Sequence, residues 1–234
     1  MNAAHRFVAL VPAAGKGERF GGGVPKQFVE VAGRSVLAWS VVRLLEAGAA
    51  AVIVALSRDR LAWGKTALGA LGPVVCVAGG RTRQESVAAC FAASEGGAAE
   101  GVDLLLVHDG ARPAVDVEDV RETVQRAAAW GGAVLGRPAA DTMKRVEEGR
   151  ILGTVERDEL FRAETPQVFT REVFARALAK ARAEGFVGTD ESSLVERLDG
   201  VAVAAVAARH PNPKLTEPGD LALLEALLSK SLSK

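Results

Sequence analysis

The residues with the most chemical promise come early. Phe7–Val11 is an apolar run that leads into Pro12-Ala13-Ala14-Gly15-Lys16-Gly17-Glu18-Arg19-Phe20 and then Gly21-Gly22-Gly23-Val24-Pro25-Lys26-Gln27. A glycine-rich loop after a strand lets backbone N–H groups approach phosphate oxygens closely. Lys16, Arg19 and Lys26 add three cations to that loop. Such cations can offset charge that moves toward a leaving pyrophosphate. The spacing matches neither of two common phosphate loops. Phe20 stands at the third glycine of GxGxxG, and no Gly-Lys-Ser/Thr follows the glycines. Taken alone, the stretch also reads as a surface turn with ordinary solvated Lys and Arg.

Other positions invite the same question. Asp109 follows an apolar run in Val107-His108-Asp109-Gly110-Ala111-Arg112-Pro113. A carboxylate at a strand tip can meet a ribose or a metal–phosphate, and Mg²⁺ favours one or two carboxylates plus phosphate oxygens. Equally, Asp109 can cap the turn and pair with Arg112, and His108 reads as a packed neighbour. Gly79-Gly80-Arg81-Thr82-Arg83-Gln84-Glu85-Ser86 opens a helical pattern, which suits a polar or anionic ligand. Thr82 and Glu85 also read as a capping box. The two readings are compatible, with Arg83 and Ser86 facing the ligand. Thr142, Lys144, Arg157 and Lys214 are, by spacing alone, solvated side chains. The sequence has no evident Ser–His–Asp arrangement or His/Cys metal cluster. Cys76 and Cys90 lack a CxxC partner or a nearby His and read as buried reduced thiols.

The elements that must position these residues alternate. Short apolar runs at Phe7–Val11, Ala51–Leu56, Val74–Ala78, Val102–His108 and Ala133–Leu135 read as strands buried on both faces. Helix-period segments at Ser35–Glu46, Asp59–Leu71, Arg83–Ser94 and Val117–Trp130 lie between them. This order implies an α/β fold with a mainly parallel sheet and helices on both sides. Ligands then sit beyond the carboxyl ends of the strands. Thr142–Val146 and Ile151–Val155 flank Glu147-Glu148-Gly149-Arg150 and read as a hairpin too polar for the core. Such a ribbon is marginal alone and is expected to pack on a second copy of the chain. Helical patterns at Arg171–Glu184 and Ser192–Leu198, a strand at Val201–Ala207 and a helix at Pro218–Leu228 follow.

Composition sets outer bounds. The 234 residues include 29 Lys+Arg and 29 Asp+Glu, so the net charge is zero and a general nucleic-acid binder is disfavoured. A small anionic ligand needs only a local cationic pocket. No apolar stretch approaches the ~20 residues that span a bilayer, and Met1–Arg6 is too short and polar for a signal peptide. The expectation is no membrane span and a cytoplasmic location.

The ordered set of motifs resembles one family, 2-C-methyl-D-erythritol 4-phosphate cytidylyltransferase, of the non-mevalonate route to isoprenoids. The resemblance runs through Pro12-Ala13-Ala14-Gly15-x-Gly17-x-Arg19, Pro25-Lys26-Gln27, Gly79-Gly80 with Arg83 and Ser86, and His108-Asp109-x-Ala111-Arg112-Pro113. It continues through Asp141-Thr142-x-Lys144, Arg157, Thr165-Pro166-Gln167, Thr189-Asp190-Glu191 and Asn212-x-Lys214-Leu215-Thr216. It implies a Rossmann-like sheet of the nucleotide-diphospho-sugar transferase type, one domain over residues 1–234, with a projecting dimerisation arm at about 138–160. It implies that Arg19, Lys26, Arg157 and Lys214 are catalytic. Pro12, Ala13, Ala14, Gly15, Lys16, Gly17, Gly80, Arg83, Ser86 and Asp109 would hold Mg-CTP, with Asp109 near the metal. Asp109, Gly110, Arg112, Thr142, Arg157, Thr165, Thr189 and Lys214 would surround the acceptor, with Thr142 and Arg157 serving the neighbour's site in a homodimer. Phe28, Arg81, Gly110 and Pro213 depart from the family pattern. A cytidylyltransferase for another polyol phosphate, such as ribitol 5-phosphate, and a non-catalytic nucleotide-binding regulator are the competing readings.

Overall fold

The computed structural model describes residues 5–15 and 24–232. Lys16, Gly17 and Arg19 therefore lie outside the described residues. Among those described are eleven strands and seven α-helices. A seven-stranded sheet is built from β1 (Phe7–Pro12), β4 (Ala49–Leu56), β5 (Val74–Ala78), β6 (Leu104–Val107), β7 (Gly131–Pro138), β10 (Phe161–Thr170) and β11 (Ala202–Ala207). Its order is β11-β7-β10-β6-β1-β4-β5. β1 pairs in parallel with β4 and β6, β4 with β5, and β11 with β7. β10 runs antiparallel to both β6 and β7.

The side-chain period of a strand divides the core in two. Phe7, Ala9 and Val11 of β1 point to one face, with Leu37, Val41 and Leu44 of α1 (Val36–Glu46) and Val120 and Val124 of α4 (Val117–Trp130). Val8 and Leu10 point to the other, with Val87 and Cys90 of α3 (Arg83–Ala93) and Phe174 and Ala177 of α5 (Arg171–Glu184). Burying Cys90 pushes its thiol up to about 12. The partly exposed Cys76 departs from the buried thiol expected there.

Helix ends follow local chemistry. Ser35, Thr82, Asp116 and Thr170 each accept a hydrogen bond from a first-turn N–H of α1, α3, α4 and α5. Gly131 and Gly185 close α4 and α5 with φ of 90° and 62°, a region that suits glycine.

The elements differ from expectation in several places. β5 is an edge strand, with Val75 47% exposed, so it is not buried on both faces. The helix expected over Asp59–Leu71 is broken into Arg58–Arg60, α2 (Leu61–Ala67) and Gly69–Leu71, the outer two being 3₁₀ turns. The Ser192–Leu198 helix shortens to α6 (Ser192–Val195). β10 was not anticipated as a strand. Neither was the small hairpin β2 (Glu30–Val31) and β3 (Arg34–Ser35). That hairpin turns at Ala32 and Gly33, with φ of 47° and 78°. Val31 of β2 and Trp39 of α1 pack with Leu224 and Leu228 of α7 (Asp220–Leu232), which anchors the C-terminal segment.

The expected projecting hairpin is present as β8 (Met143–Glu147) and β9 (Arg150–Val155), a separate two-stranded sheet. Val146, Ile151 and Leu152 are each more than half exposed.

Candidate active site

The chain winds β1, β4, β5 in one direction and then crosses to place β6 on the opposite side of β1. A crevice forms outside the carboxyl ends where the order reverses. The loop after β1, the Gly79-Gly80 segment after β5 and Asp109 after β6 therefore meet. They line one cavity of about 250 Å³, joined by Lys26 and Lys214. Pro12, Ala13, Ala14, Gly15, Gly80, Arg83, Ser86 and Gly110 are on its wall as well.

Gln27 sets the shape of the first loop. Its buried amide donates to the Ala13 carbonyl at 2.9 Å and the Gly15 carbonyl at 2.7 Å. Lys26 donates to the Leu215 carbonyl at 2.6 Å, so the loop cation touches the C-terminal segment. On the second wall, Thr82 caps α3 through Glu85 N–H. Glu85 reaches one residue further than a capping box requires and accepts from Arg81 N–H at 2.6 Å. Ser86 accepts from Gly80 N–H and donates to the Thr82 carbonyl. A Cβ on Gly80 would lie 2.2 Å from Glu85 Cβ, so glycine permits this close turn.

Asp109 is the hub. Its carboxylate accepts from Lys214 Nζ at 2.7 Å and from Arg83 Nε at 3.1 Å, and Arg112 Nε lies 3.8 Å away. Burial alone would raise its pKa; Arg83 and Lys214 more than reverse that and hold the carboxyl well below the usual range. Arg83 gives its two terminal nitrogens to Glu191 at 2.6 and 2.9 Å, and Glu191 is 2% exposed. Against the cost of burial, the Glu191 and Asp109 charges hold Arg83 above its ordinary value. The sequence motif contained Glu191 and Gln27 but carried no role for either. Two amide or carboxylate partners facing one loop or one guanidinium is a three-dimensional fact with no spacing signal.

Thr165 sits behind Asp109. Asp109 N–H donates to Thr165 Oγ1 at 3.0 Å, and Thr165 Oγ1 lies 3.1 Å from His108 Nδ1. His108 Nε2 is 3.0 Å from the Arg112 carbonyl, which can only accept. The chain closes with a neutral imidazole: Nε2–H donates to Arg112 and Nδ1 accepts from Thr165. Burial lowers the His108 pKa to about 4, in keeping with that state. His108 is thus a packed neighbour that orients Asp109.

Arg112 donates to the Asn212 carbonyl at 2.6 Å, and Asn212 Nδ2 donates to the Thr165 carbonyl at 2.8 Å. Leu215 N–H bonds to the Ala111 carbonyl, so the Asn212–Thr216 segment is laced to the β6 loop despite Pro213. Thr142, Arg157 and Thr189 are exposed and do not line the cavity. Arg157 donates to the Ala140 carbonyl at 2.8 Å at the root of the arm. Of the unusual positions, Phe28 packs edge-on to Trp63 at 4.8 Å. Gly110 leaves room for Leu37, whose Cδ1 would lie 2.8 Å from an added Cβ. Arg81 faces Glu85 at 3.8 Å and is otherwise solvated.

A family model matches residues 7–230, and its description is 2-C-methyl-D-erythritol 4-phosphate cytidylyltransferase. The chain belongs to that family. It is accordingly an enzyme, a nucleotidyltransferase that moves a cytidylyl group from CTP to 2-C-methyl-D-erythritol 4-phosphate. The Bacillus licheniformis relative of that name is 37% identical, with 95% of each chain covered. The Chromohalobacter salexigens relative is 42% identical over 96% of this chain and 90% of its own. Among solved structures, the Thermus thermophilus family member is 32% identical with a TM-score of 0.74, covering 97% of this chain and 98% of that one. A 4-diphosphocytidyl-2C-methyl-D-erythritol synthase is 34% identical with a TM-score of 0.79, covering 97% and 100%. The sequence resemblance and the mainly parallel fold are therefore correct. Among the described residues no helix is long and apolar enough to cross a membrane.

Proposed function

We propose that the reaction proceeds by in-line attack of the acceptor's phosphate oxygen on the α-phosphorus of CTP, in one nucleotidyltransferase domain over residues 1–234. The new P–O bond forms as the bond to the β-phosphate breaks and pyrophosphate leaves. The attacking phosphate is already an anion near neutral pH, so no base need remove a proton. The protein must instead bring two anions together and offset the charge moving to pyrophosphate. The observation that carries this reading is that Lys26, Arg83 and Lys214, from three distant segments, line one cavity around Asp109.

In this reading the Ala13–Gly15 backbone, Lys16, Gly17, Arg19, Gly80 and Ser86 cradle the triphosphate and base, and Arg19 and Lys26 act on the leaving side. Lys214 stands between nucleotide and acceptor, ready to exchange Asp109 for a phosphate. Arg112, Thr165 and Thr189 receive the acceptor. Thr142 and Arg157 reach the site of a second copy through the exposed arm, in a homodimer.

Magnesium is expected with CTP. Among the described residues no group of three or more His, Cys, Asp or Glu could hold a metal ion. Among the described residues on the cavity wall Asp109 is the one carboxylate, and its two oxygens already bond Lys214 and Arg83. A metal ligated there would have to displace Lys214 or sit against three cations. In the folded chain both Asp109 oxygens are taken, so Asp109 would reach a metal bound with the triphosphate only once Lys214 has turned to a phosphate.

The test is pyrophosphate release with CTP and a panel of acceptors. Release with 2-C-methyl-D-erythritol 4-phosphate and little with ribitol 5-phosphate supports the assignment. Preference for ribitol 5-phosphate overturns the acceptor and keeps the chemistry.

A further inference from the structure

A second cavity, of about 500 Å³, lies on the far side of Lys214, which lines both. Its wall carries Arg112, Arg137 and Arg162 as well as Lys214, and among the described residues on that wall Glu164 is the one carboxylate. The arrangement is costly as it stands. Arg137 and Arg162 are direct cross-strand partners on β7 and β10. Like charges placed opposite each other destabilise a sheet. Three guanidiniums share Glu164 at 3.4 Å (Arg162), 3.6 Å (Arg137) and 3.9 Å (Arg112), and Glu164 is 5% exposed. Arg112 and Lys214 also have Asp109, at 3.8 and 2.7 Å, but Arg137 and Arg162 share Glu164 alone among the described carboxylates, which leaves positive charge uncompensated on that cross-strand pair. A violated local rule of this kind, beside a site, points to a ligand that repairs it.

We propose that Arg137 and Arg162, with Arg112 and Lys214, form a basin that binds a small phosphomonoester or phosphate dianion next to the cytidylyl-transfer site. Guanidinium forks match phosphate oxygens two at a time, which a lysine cluster would not. Glu164 has the subsidiary task of keeping the three forks from dispersing. Two sources share this chemistry: the phosphate of the acceptor on its way to Lys214, or free inorganic phosphate. The first source rests on the transfer reaction described above.

The experiment titrates inorganic phosphate into the full chain at constant ionic strength made up with chloride. Saturating CTP fills the nucleotide cavity and acceptor is omitted. The wild-type thermal midpoint is expected to rise with phosphate through mass action. The Arg137→Gln/Arg162→Gln protein is expected to lose that rise. Arg162→Gln alone is a second variant, because that side chain is 70% exposed and its removal leaves the core untouched. A wild type indifferent to phosphate, or variants that respond as strongly as wild type, overturns the proposal. Steady-state kinetics then separate the sources. If the acceptor's KM rises about tenfold or more in the double variant while the CTP KM holds, the basin receives the acceptor phosphate. If the midpoint response is lost and both KM values hold, the basin binds free phosphate. Absence of turnover in wild type would sink the transfer reading and leave the phosphate titration standing.

Discussion

At the scale of single residues the site is a charge network more than a set of independent contacts. Arg83 commits its whole fork to Glu191 and Asp109, so its effect on substrate passes through Asp109 to Lys214. Glu191→Gln removes one of the two charges that hold Arg83, which lets Arg83 draw Asp109 away from Lys214. Turnover is expected to fall about tenfold, and in a Lys214→Gln background the same change is expected to cost little more. A double-mutant cycle with simple additivity would show Glu191 to be a structural ion pair only. His108 makes a separate prediction with a defined sign. Its folded pKa, about 4, is below the unfolded 6.5, so the unfolded chain binds more protons in that window. Stability therefore falls as pH drops from 6.5 toward 4, by on the order of 3 kcal/mol. Denaturant unfolding of His108→Asn across that range is expected to show a flatter slope than wild type. Equal slopes would mean that the imidazole is not held neutral.

At the scale of elements, the first strand, the capped α3 and the strand before Asp109 were all legible, because each is written in contiguous residues. Phe161–Thr170 was not. It carries Arg162, Glu164 and Pro166, and proline within a run argues against a central strand. Its buried half is Glu164–Phe169 and its open half leads from the arm, so no single period describes it. The motif Thr165-Pro166-Gln167 was visible while the strand that presents it was hidden. The contacts that shape the cavity were equally silent. Gln27 is one residue after the expected catalytic Lys26, and only the fold shows it pinning two carbonyls of the loop after β1. Gln27→Leu is expected to raise the CTP KM several-fold and to cost about 1–2 kcal/mol of stability from two unpaired carbonyls. An unchanged CTP KM would separate that loop from nucleotide binding.

At the scale of the whole molecule, the sheet reversal brings the loops together, and in the proposed dimer the arm would carry Thr142 and Arg157 to a neighbouring site. Val146, Ile151 and Leu152 give the arm an apolar surface at 57–67% exposure, which favours a covering partner. Replacing Val146 and Ile151 by Asp is expected to weaken self-association in sedimentation and to lower turnover with it, since Thr142 and Arg157 would no longer reach a neighbouring site. A variant that sediments as wild type would remove the arm from the interface. In the proposed reaction cations, without a general base, carry the transfer. The most direct measurement is pyrophosphate release by Lys26→Ala beside its thermal midpoint. Turnover about a hundredfold or more below wild type is expected, with the fold still cooperative and the midpoint close to wild type. Near-normal turnover in that protein would contradict the assignment.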